Sequence, residues 1–115
     1  MNYKDSYTLE QRLSESMRIK LKYPDRLPVI CEKHKDNNKL LKIDRSKFLV
    51  PKDLTLGQFM FIIRKRLKLS QETALYFVID GNIISTSSLI IILYEAHAEK
   101  DGFLYIKYTS ENVFG

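Results

Sequence analysis

The sequence has 115 residues, a mass of 13.6 kDa and a net charge of +5. A chain of this length forms one domain with one modest core, which excludes a large multidomain enzyme. Its longest apolar run, residues 89–94, is far shorter than the roughly 20 residues that span a bilayer. The basic balance is compatible with nucleic acid, an anionic membrane or an acidic partner, and it does not choose among them.

The N-terminus lacks the apolar segment of a secretion signal, and the single cysteine, Cys31, excludes an internal disulfide. Both features favour a cytoplasmic protein. The four glycines and three prolines leave no room for a flexible linker between domains.

The first predicted element is an amphipathic helix over residues 8–22. Thr8 and Gln11 have the spacing of a capping box at its start. Large apolar residues recur every four positions and predict one apolar seam, formed by Leu9, Leu13, Met17 and Leu21. Ile19 lies on a different face, which leaves two interpretations open: a residue covered by a loop, or part of a surface pocket.

Two strands are predicted next, over residues 27–33 and 47–51. Pro28 should lie at an end or an edge of the first strand, and the second strand ends at Pro51, a pattern typical of a sheet edge. An extended peptide can add to such an edge, because its backbone groups are unpaired. The alternative is that the second strand pairs internally and its lysine only discourages aggregation.

A second helix is predicted over residues 55–68, starting with the capping box of Thr55 and Gln58. Its apolar residues have helical spacing and should face the core; they are Leu56, Phe59, Met60, Ile63 and Leu67.

The last third of the chain is predicted to contain two strands, 75–79 and 103–108, with a short helix between them. Asp80-Gly81 predicts a tight turn, followed by a brief returning strand at Ile83-Ile84. Ser87 or Ser88 should cap the short helix, which runs to about Ala98. The resulting order of elements is that of an α+β fold of the ubiquitin-like β-grasp type.

The sequence offers no convincing catalytic or metal-binding group. Cys31 and His34 point to opposite faces of a strand, and one cysteine with two distant histidines does not form a metal-ligand cluster. The carboxylates of Asp101, Glu95 and Glu99 are interpreted as solvated surface. The basic cluster at residues 64–66 lacks the interleaved aromatic residues of single-strand binders, so no nucleic-acid partner is expected.

Five segments carry longer motifs in register: residues 22–33, 48–59, 63–67, 101–105 and 111–115. Together they resemble the family of autophagy ubiquitin-like modifiers, which includes the GABA-receptor-associated protein and the microtubule-associated protein light chain. The resemblance implies an extension of two helices before the β-grasp core. The expected divisions are an N-terminal helical extension over 1–24, a core over 25–109 and a flexible conjugation tail over 110–115.

The resemblance also implies a function. Gly115 would be joined to phosphatidylethanolamine by activating and conjugating enzymes, and a cysteine protease would recognise Phe114 and Gly115 when it removes the lipid. The protein would be a substrate and not an enzyme, would be monomeric, and would need no cofactor besides the covalent lipid. It would move from the cytoplasm to the autophagosome membrane when lipidated. Two alternatives stay open: a peptide-binding trafficking adaptor that is never lipidated, and the same conjugation at a non-autophagic membrane.

The family binds cargo receptors through short peptides with an aromatic residue, two spacers and an aliphatic residue. The aromatic pocket corresponds here to Glu15, Ile19, Pro28, Ile30, Lys47, Leu49 and Phe103. The aliphatic pocket corresponds to Phe48, Val50, Pro51, Leu54, Phe59 and Ile62, although Phe59 fits a pure core position equally well. Acidic residues beside the peptide would be attracted by Arg26, Arg45, Lys47 and Arg66. One departure from the family is the more apolar segment 89–93, which predicts an aggregation risk or a private interface.

Overall fold

The computed structural model of the protein describes residues 1–110. Its elements are α1 (Tyr3–Ser6), α2 (Leu9–Lys22), β1 (Arg26–Lys33), β2 (Lys47–Pro51), α3 (Leu56–Leu67), β3 (Tyr76–Ile79), β4 (Asn82–Ile83), α4 (Ile90–His97) and β5 (Leu104–Thr109). The strands form one sheet in the order β2-β1-β5-β3-β4. β1 and β5 are parallel, whereas the other pairs are antiparallel. This architecture confirms the predicted α+β β-grasp with its N-terminal helical extension.

The N-terminal extension consists of two helices, as the family resemblance implies and the residue pattern alone did not. The side chain of Asn2 accepts a hydrogen bond from the Asp5 amide and caps α1. Tyr7 is extended and separates α1 from α2. The predicted capping box of α2 is confirmed, because the Thr8 hydroxyl accepts from the Gln11 amide and the Gln11 side chain accepts from the Thr8 amide.

The main core lies between α3 and one face of the sheet. The capping box of Thr55 and Gln58 is confirmed, and α3 ends at Lys68, which adopts the left-handed conformation at φ 55°. The helix buries Leu56, Phe59, Ile63 and Leu67 in one cluster with residues of β1, β3 and β5. The apolar spacing of α3 therefore predicts its buried face.

The same kind of spacing gives the wrong face for α2. The predicted seam is solvent-exposed, with exposed fractions of 39% for Leu9, 39% for Leu13, 54% for Met17 and 83% for Leu21. The helix instead buries Ser16 and Ile19. Ile19 packs against the sheet in a second apolar cluster and not under a loop.

Of the two predictions about prolines, the one for Pro51 is confirmed, whereas Pro28 lies within β1 and not at an end or an edge, because β1 starts at Arg26 and pairs with a strand on each side. β2 is an edge strand and ends at Pro51. Pro28 pairs with Leu49 of β2, and the pairing of β1 with β5 begins one residue later, at Val29. Pro28 therefore occupies a position where its missing N–H disrupts no ladder with β5.

The connection from β3 to α4 differs in part from the prediction. The tight turn is confirmed, since Asp80 and Gly81 both have positive φ, 50° and 79°. The predicted serine cap is wrong: α4 begins at Ile90 after Leu89, and no side chain caps it. The segment stays extended longer because Ser88 O accepts from the Leu56 amide and Leu89 forms a bridge with Thr55.

No helix within residues 1–110 is long and apolar enough to cross a membrane. Of the predicted divisions of the chain, the conjugation tail over 110–115 lies outside the described residues except for Ser110.

Candidate functional site

The candidate site is centred on β2, which pairs with β1 on one side only. The Cys31 amide donates to Ser46 O, and hydrogen-bonded pairs alternate along an antiparallel ladder. The backbone groups of Lys47 and Leu49 therefore face outward, away from β1. In this structure the Arg45 side chain donates to Lys47 O at 3.2 Å, and the Arg26 guanidinium donates to Leu49 O at 3.1 Å.

One side of β2 adjoins a small apolar cluster under α2. Successive side chains of a strand point to opposite faces, so Leu49 contacts this cluster while its neighbours contact the main core. Ile19, Ile30 and Phe103 are fully buried in the cluster. The structure thus brings together four of the seven residues predicted for the aromatic pocket. Pro28 precedes Val29 on β1, and Glu15 and Lys47 lie at the border of the cluster.

Glu15 and Lys47 form an ion pair that joins α2 to β2. Glu15 also accepts two hydrogen bonds from Arg18, at 2.6 and 3.0 Å. The hydrogen bond from Arg18, and after it that from Lys47, lower the pKa of Glu15 to about 2 against the opposing effect of burial. A cavity of about 550 Å³ opens beside the pair, with Tyr3 and Tyr7 in its wall.

A larger cavity of about 850 Å³ lies beside the start of β2. Most charged groups in its wall are cationic: Lys33, Lys35, Lys42, Arg45, Lys47 and Lys107. The carboxylates in the wall are Glu32 and Asp44, and Glu32 is already paired with Lys107 at 2.9 Å. The cavity therefore offers a positive environment to an acidic group that approaches β2 from its N-terminal end.

The other side of β2 adjoins the main core. Phe48 meets Phe59 edge to face, with ring centroids 5.4 Å apart. Phe59 is 1% exposed and Val50 is 2% exposed, so both are core side chains. The accessible part of the predicted aliphatic pocket is therefore formed by Phe48, Pro51, Leu54 and Ile62, all partly or fully exposed.

The four cations predicted to attract acidic residues surround β2 at different positions. Arg26 donates to the outward carbonyl oxygen of Leu49, and Arg45 donates to that of Lys47. Lys47 forms an ion pair with Glu15. The Arg66 guanidinium lies 5.6 Å from the Phe48 ring and 3.4 Å from an oxygen of Asp44. Each of these cations is held by a contact of modest strength, so a ligand can compete for it.

Asp101 corrects the sequence interpretation, because it is 1% exposed and not solvated surface. Its carboxylate accepts from Arg12 at 2.7 Å, from the Tyr105 hydroxyl at 2.5 Å and from the Phe103 amide at 3.0 Å. Its carbonyl oxygen accepts from the Ser16 hydroxyl at 2.6 Å. Asp101 thus fastens α2 to the turn before β5 and fixes the helix over the aromatic cluster.

Sequence reasoning also missed Tyr3, which closes the aromatic cluster from α1. Its ring packs edge to face on Phe103, with centroids 5.2 Å apart. Burial, together with the nearby Glu15 charge, raises the pKa of Tyr3 to about 12, so the hydroxyl stays neutral. Position 3 offered no sequence signal, because α1 has only four residues and no periodicity.

Cys31 is fully buried, and burial raises the pKa of its thiol. Among residues 1–110, no group of three or more His, Cys, Asp or Glu side chains could hold a metal ion. The predicted conjugation residues, Phe114 and Gly115, lie outside the described part of the chain.

Comparison with known proteins places these features in a family context. The family model described as "Autophagy protein Atg8 ubiquitin like" matches residues 11–115. Autophagy-related protein 8 of Schizosaccharomyces pombe is 52% identical over 113 residues, which cover 98% of this chain and 93% of that protein. Autophagy-related protein 8 of Mycosarcoma maydis is 48% identical, with coverages of 98% and 95%. The crystal structure of Trypanosoma brucei ATG8 superimposes with a TM-score of 0.92 at 43% identity and covers 100% of this chain and 98% of that one.

Proposed function

Because the chain belongs to the Atg8 family of ubiquitin-like autophagy proteins, we propose that it is a modifier conjugated through Gly115 to phosphatidylethanolamine. Proteins of this family are modifiers and not enzymes. The Gly115 carboxylate would be adenylated, passed to enzyme cysteines as a thioester, and released from the thiol when the lipid amine forms an amide. A residue without a side chain suits this route, because the enzymes must approach the carboxylate closely. The family match extends over this residue.

The second part of the proposal is that β2 recruits cargo receptors by adding a peptide strand. The observation that carries it is the edge of β2, with its outward backbone groups between two apolar surfaces. The aromatic residue of the peptide would enter beside Leu49. Because Ile19, Ile30 and Phe103 are fully buried in this structure, the cluster that they form would open to admit it. The aliphatic residue would lie on the other side, against Phe48 and Ile62.

The arginine contacts of β2 give a reason for the preference for acidic peptides. A peptide strand needs the carbonyl oxygens of Lys47 and Leu49, which Arg45 and Arg26 occupy in this structure. Binding would therefore displace two guanidinium groups from the edge. An acidic residue beside the peptide would accept them, so the displaced side chains would not lose their hydrogen bonds.

This function assigns the partners and the location. The partners would be the activating, conjugating and deconjugating enzymes, receptors with the aromatic-x-x-aliphatic motif, and the membrane through the lipid, with no nucleic acid among them. The unconjugated protein would be cytoplasmic, and the conjugate would lie on the autophagosome membrane.

A reconstituted lipidation assay tests the conjugation. The full chain and Gly115→Ala would be incubated with activating and conjugating enzymes, ATP and phosphatidylethanolamine vesicles. We expect a membrane-bound product from the parent chain only. No product from either, with enzymes shown to be active on a known substrate, would contradict the proposal and favour a peptide-binding adaptor.

Calorimetry with a short peptide tests the binding site. The peptide would carry acidic residues, a tryptophan, two spacers and a leucine. We expect Leu49→Ala to weaken binding roughly tenfold or more, because it removes a side chain at the centre of the contact. Leu41→Ala is the matched control, since Leu41 is 75% exposed and lies outside both pockets. Equal losses in both variants would contradict the assignment of the site.

A further inference from the structure

The cavity of about 850 Å³ beside the start of β2 extends beyond the peptide-binding edge. β2 begins at Lys47, which pairs with Ile30, whereas β1 continues three residues further, to Lys33. At about 3.3 Å per residue, the end of β1 therefore lies roughly 10 Å past the start of β2. The cavity wall continues there with His34 and Lys35. The proposed strand addition does not use this outer part of the cavity.

Three parts of the fold contribute to the wall. The N-terminal segment contributes Asn2, Ser6 and Tyr7, and the loop before β2 contributes residues 42–46. The sheet contributes Glu32 and Lys107, which are neighbours in the parallel ladder of β1 and β5. The volume lies within the range of about 300–1,000 Å³ that is usual for small-molecule sites. The cavity is therefore large enough for a small organic anion.

Three lysines of the wall form no ion pair within residues 1–110: Lys33, Lys35 and Lys42. Lys35 and Lys42 are exposed, and Lys33 is half-buried. Lys33 and Lys35 lie at the end of β1, whereas Lys42 lies in the loop before β2. The fold, and not one basic run of the sequence, brings the three lysines to the same cavity.

The carboxylates of the wall have other partners. Glu32 accepts a hydrogen bond from the Tyr3 amide at 2.7 Å and forms an ion pair with Lys107 at 2.9 Å. Asp44 lies 3.4 Å from the Arg66 guanidinium. These contacts leave the three lysines without a counter-charge, so the cavity keeps an excess of positive charge that attracts an anion.

On these grounds we propose that the outer part of the cavity binds a small anion that carries several phosphate groups. An ammonium group suits phosphate, because it is a compact point charge with three rotatable donors. A carboxylate would neutralise only one of the three lysines, whereas one phosphate group carries roughly 1.5 to 2 negative charges at neutral pH. A free inositol polyphosphate and the headgroup of a phosphorylated inositol lipid share this chemistry. The proposal depends neither on conjugation nor on peptide binding.

Calorimetry of the full chain with inositol hexakisphosphate tests the binding. We expect one anion per chain, and we expect Lys35→Gln combined with Lys42→Gln to weaken the binding roughly tenfold or more, because two charge-assisted contacts are lost. Both side chains are exposed, so the double variant should fold, and circular dichroism verifies this. Absence of binding up to about 1 mM of the anion would overturn the proposal.

Lys65→Gln combined with Lys68→Gln is the matched control. It removes the same charge from the other basic cluster of the chain, at the end of α3, and both lysines are exposed. We expect this variant to bind inositol hexakisphosphate nearly as tightly as the parent chain. Equal losses in the two double variants would mean that the anion responds to net charge only, and the proposal would fail.

Amide chemical shifts in the presence of inositol hexakisphosphate locate the site. We expect the largest changes at the end of β1 and in the loop before β2, at Lys33, Lys35 and Lys42. Largest changes at residues 64–68 would place the anion on α3 and overturn the proposal.

Vesicles distinguish the two sources of the anion. Phosphatidylcholine vesicles would contain either phosphatidylinositol 4,5-bisphosphate or enough phosphatidylserine to give the same total charge. A preference for the bisphosphate vesicles that disappears in Lys35→Gln combined with Lys42→Gln would support the proposal with a lipid headgroup as the source. Binding of inositol hexakisphosphate without this preference would support it with a free anion as the source.

An acidic peptide is the competing occupant of the cavity. The acidic tryptophan peptide used for the strand-addition test would be titrated into the same variants. If Lys35→Gln combined with Lys42→Gln weakens the binding of this peptide and leaves the binding of inositol hexakisphosphate unchanged, the outer cavity serves the peptide and the proposal fails. A loss confined to inositol hexakisphosphate would support a separate phosphate site.

Discussion

The helices α2 and α3 begin alike and pack differently. Both start with a threonine–glutamine capping box, and both carry large apolar residues at helical spacing. In α3 these residues are buried in the main core. In α2 they face solvent, and the opposite side of the helix contacts the sheet.

The difference lies in what holds each helix. All the buried side chains of α3 are apolar, so its buried face follows its hydrophobic pattern. α2 is held by Arg12 and Ser16, which bind Asp101 at 2.7 and 2.6 Å, and by Ile19. Buried polar groups need hydrogen-bond partners. The contacts of Arg12 and Ser16 with Asp101 therefore hold that side of α2 against the core, and the apolar seam of the helix faces solvent. Hydrophobic spacing therefore predicts the buried face of a helix only where no buried polar side chain of that helix has a hydrogen-bond partner on another face.

The largest expected effect tests this reversal within α2. Ile19→Ala should lower the free energy of unfolding by about 3 kcal/mol, because it leaves a cavity in the aromatic cluster. Leu21→Ala, in the exposed seam, should change the free energy of unfolding by less than about 0.5 kcal/mol. Urea unfolding followed by circular dichroism measures both. A larger loss in Leu21→Ala than in Ile19→Ala would mean that the hydrophobic seam, and not Ile19, holds the helix.

The polar anchor of α2 is tested next. Asp101→Ala removes the acceptor of Arg12, Tyr105 and the Phe103 amide, so we expect a loss of about 2 kcal/mol in the free energy of unfolding. Because α2 covers the aromatic cluster, peptide binding should weaken as well.

Glu99→Ala is the control for Asp101→Ala. Glu99 also carries an ion pair, with Lys4, but both side chains are more than a third exposed. Its removal should change stability by less than about 0.5 kcal/mol. Similar losses in the two variants would show that Asp101 is not a special anchor.

The parts of the fold that the sequence predicted are the local ones. The two capping boxes, the turn at Asp80-Gly81 and the end of β2 at Pro51 depend on neighbouring residues only. The errors involve partners far away in the chain: Asp101 meets Arg12 across 89 positions, and Ser88 is held by the Leu56 amide instead of capping α4. No local pattern contains such contacts.

In the candidate site, too, the features set by neighbouring residues could be predicted, and the contacts between distant segments could not. Its edge strand is predicted from residues 47–51, which are contiguous in the sequence. Ile30 and Phe103 were assigned through the family resemblance alone, because they come from distant segments. Tyr3 belongs to the same cluster and had neither kind of signal.

A smaller loss of stability is expected when either capping box is disrupted. Thr8→Ala and Thr55→Ala should each lower stability by about 1 kcal/mol, because each leaves a helix-start amide without its acceptor. The two variants should differ in which part of the fold opens more easily. Native-state hydrogen exchange should show faster opening confined to α2 in Thr8→Ala, and faster opening throughout the main core in Thr55→Ala. Identical exchange patterns would mean that α2 and α3 unfold as one unit.

The smallest effect concerns the ion pair that joins α2 to β2. Because Arg18 and Lys47 lower the pKa of Glu15 from 4.5 to about 2 in the folded protein, the unfolded chain binds the proton more readily. The resulting stabilisation is complete above the unfolded pKa and is lost as the pH falls from about 4.5 toward 2. Since the pair is partly exposed, we expect less than about 1 kcal/mol. The difference in urea midpoint between the parent chain and Glu15→Gln should therefore be present at pH 6 and vanish near pH 2.

Glu10→Gln, whose carboxylate forms no ion pair within residues 1–110, is the control, and its difference should not depend on pH in this way. A Glu15→Gln difference that stays constant across this range would show that the carboxylate charge does not hold α2 to β2.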